Sequence, residues 1–83
     1  MSRDRRIGRF RISMRLIERF DTDVKRVMGQ CIITRADYLF SCDAIEYVAI
    51  SEHFRELDEG EIAPEYAWIF TSDGGMTCTE LPW

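Results

Sequence analysis

Residues 7–17 alternate with a period of two: Phe10, Ile12, Met14 and Leu16 fall on one side, Arg9, Arg11, Ser13 and Arg15 on the other. Successive side chains of an extended chain point to opposite faces, so this is the pattern of a strand with one face in the core and one in water. A strand of that kind obliges the chain to supply neighbouring strands and something to cover the apolar face. It also sets Arg9, Arg11 and Arg15 along one outward face, with same-face neighbours about 7 Å apart.

Those arginines belong to a wider split of charge. The first 26 residues hold nine of the eleven basic residues against four acidic ones, a net +5. From Val27 onward only Arg35 and Arg55 oppose eleven carboxylates, a net −9. The formal −4 of the chain therefore averages two opposite fields. Charge asymmetry of this sort informs about partners and association rather than about fold.

Beyond the first strand, residues 20–23 break the alternation, and Asp21, Thr22 or Asp23 can cap a helix. Val24, Val27, Met28, Cys31 and Ile32 then recur at helical spacing, which predicts a helix over 23–34, with Gly29 and the β-branched pair Ile32–Ile33 leaving a strand over part of the stretch as the alternative. Tyr38, Leu39 and Phe40 read as a short strand. Asp43 and Glu46 have capping-box spacing, but Tyr47, Val48 and Ile50 favour a strand over 45–51. Residues 66–70 alternate again, Ser72-Asp73-Gly74-Gly75 suits a hairpin loop, and 76–81 return as a last strand. The expected fold is α+β: one compact domain over 1–83, β-α-β-β-β-β, with a mainly antiparallel sheet of four to five strands and one helix packed on it. A core drawn from 83 residues is close to the lower limit for independent stability, so a homodimer or tight docking on a partner would add burial.

No catalytic motif stands out. Cys31, Cys42 and Cys78 are odd in number and widely spaced, which argues against a disulfide framework and matches no zinc-finger pattern even with His53. His53 has no nucleophile motif around it, and the glycines at 74 and 75 lack the GxxxxGK[ST] or GxGxxG context of a phosphate loop. The reading is a protein without enzyme activity, cofactor or metal. No stretch has the length and apolarity of a membrane span or a secretory leader, so the expected location is the cytoplasm.

Residues 52–65 carry the remaining signal: Glu52, Glu56, Asp58, Glu59, Glu61 and Glu65 against Arg55 alone, a local −5. Spaced carboxylates on a rigid surface can imitate part of a phosphate ladder, which in duplex DNA presents one charge per roughly 1.7 Å of axis. With Tyr66 as an aromatic anchor, these six acids form the candidate partner-binding surface. The partner so implied is a protein with a basic, nucleic-acid-binding face. Arg9, Arg11 and Arg15 offer a second face, for phosphates directly or for another partner, although they can equally pair with the chain's own acids.

Small size, an acidic isoelectric point, a compact α+β architecture, the acidic stretch 52–65 and the aromatic strand 66–70 together resemble the small phage-encoded inhibitors of bacterial defence systems, anti-CRISPR proteins among them. That resemblance implies a stoichiometric inhibitor, acting in the host cell cytoplasm, that blocks nucleic-acid loading on an effector. The arginine-rich first strand departs from a purely acidic mimic.

Overall fold

The computed structural model describes residues 5–19 and 22–82. Its first strand, β1 (Ile7–Ser13), has the expected polarity: Phe10 and Ile12 are buried and Arg11 is exposed. The strand stops at Ser13 instead of running to residue 17. The Ser13 hydroxyl accepts the Arg15 amide at 3.2 Å and caps a short helix, α1 (Met14–Glu18). A serine oxygen satisfies one of the helix's orphan N–H groups, and that local bond ends the alternation. Arg15 thereby leaves the strand, and the expected row of three outward arginines is reduced to Arg9 and Arg11.

The helical stripe gives α2 (Thr22–Gly29), which buries Val27 and packs Val24 and Met28 against the core. It is shorter than the expected 23–34. Gln30 and Cys31 amides donate back to the Val27 and Met28 carbonyls at 3.0 and 3.4 Å. The β-branched pair Ile32–Ile33 then opens β2 (Ile32–Leu39), a long strand where a short one was expected. The candidate cap Asp21 lies outside the described residues.

Of the expected strand 45–51, residues 45–50 are strand, in β3 (Ala44–Ile50), the centre of a three-stranded sheet of order β1-β3-β2. Both pairings are antiparallel, running from Ile7↔Ile50 to Ser13↔Ala44 on one side and from Ile32↔Ile50 to Leu39↔Ala44 on the other. Asp43 does not cap a helix. It sits in the β2–β3 turn with φ +50°, its carboxylate accepting the Tyr38 hydroxyl at 2.6 Å.

The last two strands, β4 (Tyr66–Phe70) and β5 (Met76–Glu80), form a separate antiparallel hairpin. Its loop closes with the Thr71 amide on the Gly75 carbonyl at 2.9 Å, and Gly74 takes φ +89°. Positive φ suits a residue without a Cβ. The α+β class is as expected; among the described residues the strands divide into sheets of three and two, and there are two helices where one was expected.

Phe10 joins these layers. It is fully buried, with ring centroids 5.5 Å from Tyr47, 6.3 Å from Phe54 and 5.9 Å from Trp68. Gly8, one residue pair along β1, lets two more rings approach. A Cβ there would lie 2.7 Å from the Tyr66 ring and 2.9 Å from Phe54. Those rings stack at 4.5 Å, filling space that only a glycine leaves open.

Candidate functional site

The segment between β3 and β4 has almost no regular structure, yet it is tightly bound to β1 and to the two residues before it. The Ser51 and Leu57 amides donate to the Arg6 and Arg5 carbonyls at 3.0 and 2.8 Å, and the Arg9 amide donates to the Pro64 carbonyl at 2.9 Å. Two guanidinium groups lock it further: Arg6 Nη1 donates to the Phe54 carbonyl at 2.9 Å and Arg9 Nε to that of Ala63 at 2.8 Å. Phe54, Leu57 and Pro64 point inward and are buried. The segment therefore covers the outer edge of β1 and is held as a fixed surface.

Arg55 organises the acids from within, a role that sequence reasoning missed. Its guanidinium grips both oxygens of Glu61 and donates through Nε to Glu80 at 2.7 Å. Arg55, joined by the Asp58 amide at 3.0 Å, pulls the Glu61 carboxyl down to about 2. The only signal available beforehand was that a single cation stands among six carboxylates. Glu61 is thus a structural brace and not a free contact.

The six predicted acids consequently separate into two groups. Glu65 pairs with Arg11 at 3.5 Å and Glu61 with Arg55. Glu52, Glu56, Asp58 and Glu59 are exposed, and their side chains make no ion pair among the described residues. Ile62, 70% exposed, is the apolar residue this surface presents. Tyr66 is not part of it. At 5% exposure it belongs to the core, and its hydroxyl accepts the Arg55 amide at 3.0 Å. Its ring is drawn in by the space at Gly8, which the strand pattern around residue 66 does not reveal.

On the outward face of β1, Arg9 and Arg11 are turned onto the chain's own carboxylates. Glu46, opposite Arg11 on β3, lies 3.3 Å from Arg11 Nε and 3.6 Å from Arg9 Nη1. Arg15, on α1, is exposed and apart from this cluster.

The residues with chemical potential are constrained differently. His53 Nε2 lies 3.1 Å from Gln30 Oε1, and its ring packs edge-on to Trp68 at 5.4 Å. Burial pushes the Cys31 thiol up, and burial with the neighbouring Cys31 pushes Cys78 up to about 12. Both are therefore held as thiols at neutral pH, the weak nucleophilic form. Among the described residues, no three of His, Cys, Asp and Glu gather as metal ligands. A cavity of about 120 Å³ beside Ile12, Val24, Val27 and Trp68 is small against the roughly 300–1,000 Å³ of ligand pockets. None of the described helices is long and apolar enough to cross a membrane. No family model matches the chain, and no curated protein or solved structure matches it.

Proposed function

We propose that this chain is a non-enzymatic protein-binding inhibitor that sets a fixed array of carboxylates against the basic, nucleic-acid-binding surface of a protein partner. The observation that carries this is the state of Glu52, Glu56, Asp58 and Glu59: outward, without ion pairs among the described residues, on a loop anchored by Phe54, Leu57 and Pro64. A loop already ordered loses little freedom on docking, so its charges act at low entropic cost. An oriented negative pole also steers association with a positive face and competes there with phosphates. Ile62, exposed on the same segment, offers an apolar contact beside the charges.

Direct nucleic-acid binding through the first strand is the weaker reading, because Arg9 and Arg11 are engaged by Glu46 and Glu65. The protonated Cys31 and Cys78 thiols likewise favour binding over covalent catalysis. A phage-defence effector in the host cytoplasm is the class of partner that the resemblance to small phage inhibitors suggests.

The test is capture from a nuclease-treated bacterial lysate, using wild type and the variant Glu52→Gln, Glu56→Gln, Asp58→Asn, Glu59→Gln. Wild type is expected to retain a protein that heparin displaces, and the neutralised variant to lose it at an unchanged melting temperature. Equal retention by the variant would refute the reading.

A further inference from the structure

The three-stranded sheet has two edges, and the chain treats them differently. The β1 edge is covered by the acidic loop, through the Arg9 amide on Pro64 and the bridge of Arg9 with Glu65. The β2 edge has no strand beside it among the described residues. Seven of its eight residues are exposed, including Ile32 and Tyr38 at 54% and 45%, and Phe40 just beyond it is 89% exposed. Unpaired edges normally carry lysine, proline or a short strand that prevents pairing. Here a bulge at Thr34, whose hydroxyl donates to the Val48 carbonyl at 3.0 Å, is confined to one end. Arg35 to Leu39 is left as a regular edge.

The sequence of that edge is complementary to itself. Antiparallel pairing of two copies about Ala36 sets Arg35 opposite Asp37 of the second copy, and Asp37 opposite its Arg35. Within one chain the same two side chains already lie 2.8 Å apart on one face, so two copies would close a ring of four alternating charges. On the far side of the bulge, matching faces bring Ile33 against Tyr38 of the second copy and Ile32 against its Leu39. Shifting by two residues opposes Arg35 to Arg35 or Asp37 to Asp37, and shifting by one sends the side chains to opposite faces. Only the register about Ala36 satisfies both charge and face.

We propose that the β2 edge is a homodimer interface, in which two copies pair antiparallel about Ala36 into a continuous six-stranded sheet. This stands independently of the acidic loop, which lies at the opposite edge. The experiment is sedimentation equilibrium on wild type, Arg35→Asp, and the reversed pair Arg35→Asp with Asp37→Arg. Wild type should dimerise with concentration. The single variant opposes acid to acid at two symmetric positions and should weaken association by about tenfold or more. The reversed pair should restore it. Thermal melts check folding of each variant, since loss of an exposed ion pair alone costs little. Independently, Ala36→Cys in a Cys42→Ser background should cross-link on mild oxidation. A wild type that stays monomeric at all concentrations would leave the edge to a strand of another protein and overturn the proposal. So would a reversed pair as weak as the single variant.

Discussion

Replacing Gly8 with alanine tests whether the acidic loop is fixed by core packing. In a strand, alanine is ordinarily better than glycine by roughly 0.5–1 kcal/mol, because the unfolded glycine has more freedom to lose. At Gly8 the new Cβ would meet Tyr66 Cδ1 and Cε1 at 2.7 Å and Phe54 Cδ2 at 2.9 Å. Neither ring can simply swing aside. Phe54 is 1% and Tyr66 5% exposed, they stack on each other, and Tyr66 is tethered to the Arg55 amide. Overpacking of this kind typically costs about 1–3 kcal/mol. Against a total of roughly 4–12 kcal/mol for a domain this long, that is a large fraction. A loss of about 2 kcal/mol lowers the melting temperature by roughly 8–16 °C at this size. Thermal and urea unfolding measure it, and hydrogen exchange should show faster opening across residues 52–65, where Phe54 is the anchor. A neutral or stabilising Gly8→Ala would refute the packing argument, because the sign itself is at stake.

Two further substitutions probe the brace around Arg55. The Glu61 carboxyl is depressed from 4.5 to about 2 by Arg55, so it contributes stability above pH 4.5 that is lost as pH falls through 2. Arg55→Gln should therefore melt lower than wild type at pH 7, with the gap narrowing steadily between pH 4.5 and 2; a gap independent of pH would contradict this. Tyr66→Phe keeps the ring but removes the acceptor of the Arg55 amide, at a cost of about 1–3 kcal/mol in urea unfolding.

What was legible in the sequence followed from periodicity. The alternation through Phe10 and Ile12 identified β1 and its buried face, and the stripe Val24, Val27, Met28 identified the buried side of α2. Misreadings arose where a local bond outweighed the pattern. The Ser13 hydroxyl turned the chain into α1 and carried Arg15 away, although residues 14–17 continue the alternation. Ile32 kept helical spacing but entered β2, where the β-branched pair Ile32–Ile33 fits an extended backbone. Within the candidate site, charge sign was legible but engagement was not. Glu61 and Glu65 look like Glu56 and Glu59 in the sequence, and only the positions of Arg55 and Arg11 distinguish the braced carboxylates from those without an ion pair among the described residues. Tyr66 reads as a surface anchor in the sequence because the space above Gly8 is a property of packing between distant segments.

In the proposed function, Glu52, Glu56, Asp58 and Glu59 compete with nucleic acid for one basic surface of the partner. The most direct measurement is a titration of this protein into its captured partner bound to labelled nucleic acid, followed by fluorescence anisotropy. Wild type should release the label at about one equivalent, and the variant neutralised at Glu52, Glu56, Asp58 and Glu59 should release none at the same concentration. Release by both proteins alike, or a stable complex that retains the label, would contradict it.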